Sequence, residues 1–93
     1  MSYAISFDLD TDQLKLVYPS QSWQNAYGDI KTELIALGFN WQQGSVYFGD
    51  KLDAVRCVLA AQKLSQKFPW LKQCVRDIRM LRIEENNDLT PAL

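Results

Sequence analysis

Two carboxylates, Asp8 and Asp10, close a run in which large apolar residues alternate with small or acidic ones, Tyr3-Ala4-Ile5-Ser6-Phe7-Asp8-Leu9-Asp10. A strand sends successive side chains to opposite faces. Tyr3, Ile5, Phe7 and Leu9 therefore share a face that asks for a core, and Ala4, Ser6, Asp8 and Asp10 share the other. A carboxylate at a strand end can help hold a divalent cation that lowers the pKa of bound water. It can also take a proton as a general base, provided burial or a like charge raises its pKa. The chain has no histidine, which removes triads with a histidine base and histidine-based zinc sites. Other polar candidates are Ser45 directly after Gly44, and Arg76, Asp77 and Arg79. Each has a plain structural explanation: a strand end that caps the next turn, ordinary turn chemistry, a solvated edge strand. Only their convergence would make a site.

The elements that must position them fit a single domain of 93 residues, with a core over about residues 2–84 and a loose polar tail over 85–93. Hydrophobic residues make up 47% of the chain and the net charge is -1. Bulk charge thus argues against tight non-specific nucleic-acid binding, and any such contact needs a local basic stripe. Cys57 and Cys74 lie in apolar stretches and read as buried thiols of a reducing cytosol rather than a disulfide framework. No signal peptide is visible and no apolar run approaches the roughly 18 residues of a membrane span, so a cytoplasmic protein without a membrane segment is expected.

Along the chain, residues 11–18 suggest a short helical turn capped by Thr11 and stopped by Pro19. Apolar residues at 23, 26, 27, 30, 34 and 37 have helical spacing, and Gly38 stands where a glycine ends a helix. The aromatic, glycine-punctuated stretch 39–48 predicts two short strands, near 39–43 and 45–48, meeting at Gly44. Asp50 is the expected cap of a second helix that ends near Lys67 and buries Leu52, Val55 and Leu59. Residues 71–74 connect to a last strand over 74–83. The order gives an α+β, ferredoxin-like βαββαβ domain. Its antiparallel four-stranded sheet has the order 4-1-3-2, with two helices on one face and the other face open. In that topology the end of the first strand lies beside the starts of the third and fourth. Asp8, Asp10, Ser45, Arg76 and Asp77 then meet at one end of the sheet.

Four blocks add a resemblance. Tyr3-Ala4-Ile5-Ser6-Phe7-Asp8-Leu9, Asn25-Ala26-Tyr27-Gly28-Asp29-Ile30 followed by Leu37-Gly38-Phe39, Gln43-Gly44-Ser45-Val46-Tyr47, and Val75-Arg76-Asp77-Ile78-Arg79 resemble, in order and spacing, the virulence-associated protein D (VapD) family. That family is similar in fold to the small CRISPR-associated proteins of the "associated two" type. The resemblance implies a cytosolic, homodimeric endoribonuclease, the toxin of a toxin–antitoxin pair with a small protein antitoxin. It places the catalytic aspartate at Asp8 and the family's Gly-Ser pair at Gly44-Ser45. For RNA as substrate, Tyr47 and Trp41 are candidates to stack bases, and Arg76 or Arg79 to hold a phosphate. A divalent metal such as Mg2+, held by Asp8 of each subunit, is expected by analogy with the similar fold. The tail departs from the resemblance: Asn86-Asn87-Asp88-Leu89-Thr90-Pro91 has no aromatic residue. The competing expectation is a non-enzymatic, dimeric binding or adaptor module in which Asp8 merely caps.

Overall fold

The computed structural model describes residues 2–93. Strand β1 (Ser2–Leu9) is followed by a short helix α1 (Thr11–Val17), helix α2 (Asn25–Ala36), strands β2 (Asn40–Gln43) and β3 (Val46–Gly49), helix α3 (Ala54–Lys67), a single helical turn α4 (Leu71–Cys74) and strand β4 (Val75–Ile83). The sheet order is β2-β3-β1-β4 and every neighbouring pair is antiparallel. This is the ferredoxin-like arrangement expected, with α1 and α4 added between its main elements.

β1 is central because its odd positions carry the bulk. Ile5, Phe7 and Leu9 are buried in one cluster with Ile30 and Leu34 of α2, Cys57, Ala60 and Leu64 of α3, and Phe39, Tyr47 and Trp70. α2 ends as its glycine predicts. Gly38 has φ +99, its N–H donates to the Ile35 carbonyl, and the Phe39 N–H donates to the Leu34 carbonyl at 3.0 Å. That pair of bonds is a Schellman closure, and it turns Phe39 back onto the core beside Leu34.

Some local expectations are corrected. The cap of α1 is Asp10, whose side chain accepts from the Gln13 N–H, and not Thr11. The cap of α3 is Asp53, which accepts from the Arg56 N–H, so the helix starts later than an Asp50 cap would put it. The buried stripe of α3 is Cys57, Ala60 and Leu64, while Val55, Val58 and Leu59 are exposed, Leu59 at 44%. The helix lies on the sheet through Cys57, Ala60 and Leu64, so the expected Val55 and Leu59 face outward, while Leu52, ahead of the helix, packs partly buried against the core as expected. Strand β2 starts at Asn40 rather than 39, and β3 at Val46 rather than 45, because Gly44 and Ser45 form the turn between them. The connector at 71–74 is helical, and the exposed tail contains a 3-10 turn, Thr90–Ala92. The Asp88 side chain accepts from the Thr90 N–H and hydroxyl, which holds its carboxyl below its usual pKa. Both cysteines are free and buried, and burial pushes both thiols up, so neither is an activated nucleophile.

Candidate active site

Pairing puts the candidate residues on defined faces. Ser6 is opposite Arg79 and Asp8 is opposite Asp77, so Ser6, Asp8, Asp77 and Arg79 share the face away from the helices. One register step later Leu9 pairs with Val75, leaving Arg76 as the extra residue of a β-bulge. A second irregularity falls between Trp41 and Gln43 in the β2–β3 ladder. Both lie at the end of the sheet where β1 finishes. Bulges re-aim side chains and end pairing, so the ladder is broken on both sides of the Asp8 end.

Asp8 itself is exposed. Two carboxylates directly opposite repel. The Arg79 Nε offsets this by donating to both oxygens of Asp77, at 3.1 and 2.9 Å. Asp77 is thereby engaged and Asp8 is left as the open carboxylate of the pair. Asp10 is also engaged: besides capping α1, its backbone N–H donates to the Cys74 carbonyl at 2.7 Å. The bulged Arg76 reaches it only loosely, Nη2 to Oδ1 at 3.8 Å, and stays 61% exposed. Such an exposed pair contributes little to stability, so the Arg76 guanidinium is available to an incoming anion.

The third strand of the site is fixed by backbone. The Phe7 N–H donates to the Ser45 carbonyl at 3.1 Å, which sets Ser45 one residue away from Asp8 along β1. Gly44 has φ +48, a left-handed conformation that suits glycine. Its carbonyl accepts from Trp41 Nε1 at 2.9 Å. Trp41 is half-exposed, and the Lys31 ammonium sits 4.0 Å from the centre of its ring. Trp41 thus props up the Gly44–Ser45 turn and offers an accessible aromatic surface next to a cation.

Tyr47 does not fit the part of a base-stacking residue. Its position opposite Ile5 sends it to the helix side, where it is 2% exposed and its ring stacks on Phe7, with centroids 6.1 Å apart. Burial also pushes its phenol up. The strand alternation of Tyr47 with Ile5 and Phe7 was the signal for this.

Among the described residues no group of three or more histidine, cysteine, aspartate or glutamate side chains is placed to hold a metal ion. Asp8 has one carboxylate neighbour across the ladder, and that neighbour is held by Arg79.

An open antiparallel sheet, an exposed aspartate without a side-chain bond among the described residues at the end of its central strand, and arginines on the adjacent edge strand define a small ferredoxin-like protein with a polar, charged sheet end. The family model described as CRISPR associated protein Cas2 matches residues 1–90. Among curated proteins, Endoribonuclease VapD 2 of Riemerella anatipestifer is 55% identical over 92 residues, covering 98% of each chain. The Endoribonuclease VapD homolog of Helicobacter pylori is 49% identical over 92 residues, 98% of this chain and 95% of that one. Endoribonuclease VapD of Dichelobacter nodosus is 42% identical over 88 residues, 95% and 92% of the two chains. The chain belongs to the VapD family, within the wider Cas2 family.

Proposed function

We propose that this protein is an endoribonuclease in which Asp8 is the general base. The observation that carries the proposal is the exposed Asp8 carboxylate, which has no side-chain bond among the described residues, while its neighbours Asp10 and Asp77 are engaged by a helix cap and by Arg79. The relatives' names supply the substrate class, RNA. Asp8 takes the proton from a ribose 2′-hydroxyl, and the 2′-oxygen attacks the adjacent phosphorus. Arg76, with Arg79 behind it, neutralises charge on the phosphate. The Ser45 hydroxyl serves as a hydrogen-bond donor to a phosphate oxygen, since no base is arranged to activate it as a nucleophile. Trp41 takes the stacking role for which Tyr47 is too buried.

The family resemblance extends the proposal to a homodimer acting as the toxin of a toxin–antitoxin pair, restrained by a small protein antitoxin. A dimer through the open face would bring two copies of Asp8 toward each other, and a divalent ion such as Mg2+ would need that second carboxylate.

Labelled RNA incubated with pure protein tests the central claim. The expected products end in a 2′,3′-cyclic phosphate, DNA of the same sequence is untouched, and a chelator has no effect. Asp8→Asn is expected to lose about 10²–10⁴ in rate, the span of a general base. Chelator-sensitive cleavage with 5′-phosphate ends would replace the general-base route by the metal-dependent dimer. Full activity of a folded Asp8→Asn protein would return Asp8 to a capping role and favour the adaptor alternative.

A further inference from the structure

A groove of about 500 Å³ opens on the sheet face that carries Asp8, and the proposed reaction makes no use of it. Its floor is β3. Val46 pairs with Ser6 and Phe48 with Ala4, so both stand on the face away from the helices. Gln42 and Gln43 wall it from β2, where Gln43 pairs with Val46 and Gln42 is the extra residue of the ladder irregularity. The opposite wall comes from the chain after β4. It leaves Ile83, runs past Ser2 and Asp50, and brings Asn86 and Asp88 beside β2 and β3.

We propose that this groove is a base-binding subsite of the nuclease. It takes one unpaired nucleobase of the substrate strand beside the cleaved link, with Gln42 and Asn86 bonding to its edge and Phe48 lying against it. This rests on the endoribonuclease proposal above. Position is the first argument. Ser6 and Asp8 are two residues apart on one face, about 7 Å at the rise of a strand, and Val46 of the groove floor sits beside Ser6. A strand with its scissile phosphate at Asp8 therefore has a neighbouring base within reach of the groove. Chemistry is the second. An amide side chain both donates and accepts, which matches the mixed donor and acceptor edge of a base. Among the described residues the Gln42, Gln43 and Asn86 side chains make no hydrogen bond with the rest of the chain, so all three have bonds to give. No arginine or lysine lines the groove, and a phosphate site would need one. Its one charged member, Asp88, repels phosphate, and its carboxylate is already turned to the Thr90 N–H and hydroxyl, at 2.9 and 2.6 Å. The half-buried Phe48 ring and Val46 add the apolar surface on which a base can rest.

The groove lies over β2 and β3, and the arginines lie on β4, so the two fall on opposite sides of Asp8 on the central strand. Arg76 and Arg79 hold the backbone whatever its sequence, and the groove makes cleavage depend on the base beside the link. A strand gripped on both sides of the link has its 2′-hydroxyl fixed near the Asp8 carboxylate.

The test uses an oligoribonucleotide with one abasic nucleotide, moved in turn through the positions on either side of the cleaved link. Binding is read by fluorescence anisotropy on Asp8→Asn protein, which leaves the strand intact, and cleavage is read on protein that keeps Asp8. One position beside the link should raise Kd about five- to thirtyfold, the worth of one to two hydrogen bonds of about 1 kcal/mol each. Gln42→Ala combined with Asn86→Ala, both at exposed positions, should raise the Kd of the intact strand by a similar factor. On that double variant the same abasic position should cost no more than about threefold, because the base has already lost its partners. A scan with no sensitive position would overturn the proposal. So would losses from the abasic nucleotide and the double variant that multiply in full. A protein that cleaves RNA while its abasic scan is flat would lose this proposal alone. Wild-type protein that cleaves no strand would instead overturn the endoribonuclease proposal on which this one stands.

Discussion

At the scale of single residues, occupancy decides the chemistry. Asp8, Asp10 and Asp77 are the same side chain at one end of one sheet, yet two of them are committed to a helix cap and to an arginine. The third is open. Trp41 shows the same logic from the other side. Its indole N–H holds the Gly44 carbonyl, and so fixes the turn that presents Ser45. Trp41→Phe keeps an aromatic surface but deletes that bond. A hydrogen bond of this kind is worth about 1 kcal/mol, so a fall in melting stability of that order is expected. Because Ser45 sits on the released turn, cleavage should fall by roughly fivefold, the same free energy read as a rate. Chemical denaturation and a cleavage time course check the two halves. Loss of stability with unchanged cleavage would show that the turn's position does not matter to the reaction. The sequence already paired Asp8 with the Gly44–Ser45 turn, because topology alone brings those positions together. It could not show which aspartate was free, since that depends on where Asp10, Cys74 and Arg79 place individual atoms.

At the scale of elements, legibility followed how many faces a helix could plausibly bury. α2 has one apolar stripe and a glycine stop, and both were read correctly: Ala26, Ile30 and Leu34 are buried, and Gly38 closes the helix. α3 carries two interleaved stripes, one at Val55, Val58 and Leu59, and one at Cys57, Ala60 and Leu64. Periodicity cannot choose between stripes of the same period. The structure chooses the second, which lets the helix approach the sheet closely. The consequence is testable. Leu64→Asp puts an unpaired carboxylate into the core, at a cost of several kcal/mol, and should unfold the protein. Leu59→Asp, at a position 44% exposed, should shift stability by no more than about 1 kcal/mol. Thermal melts of the two variants settle which stripe faces the sheet. The same reasoning explains Tyr47: its aromatic neighbours and flanking glycines suggested a binding loop, while strand alternation sends it inward with Phe7.

At the scale of the whole molecule, the sheet face opposite the helices is incompletely covered. Ala4 is fully buried there, but Leu81 across the ladder is 43% exposed and Phe48 on the other side is half-buried. The tail shields only part of it, forming with Gln42, Gln43, Val46 and Phe48 the wall of a groove of about 500 Å³ through Asn86 and Asp88. A second copy seated on this face would bury the apolar patch and set two Asp8 ends near one another, the arrangement proposed for the dimer. Leu81→Asp should then give a folded monomer where wild type gives a dimer by light scattering at micromolar concentration. Salt dependence reads the same assembly through the substrate. The net charge of -1 means that RNA is held by local contacts rather than by bulk attraction. With Arg76 and Arg79 as the phosphate contacts of one site, binding to single-stranded RNA should weaken with a log–log salt slope of about -1.4, from roughly -0.7 per neutralised phosphate. If one RNA strand spans both sites of a dimer, the slope should approach about -2.8 on the same basis, and Leu81→Asp should return it to the smaller value. A slope near -1.4 for a wild-type protein that scatters as a dimer would mean that the two sites bind RNA independently. A wild-type monomer would remove the open-face dimer, and with it the route by which two Asp8 carboxylates could share an ion.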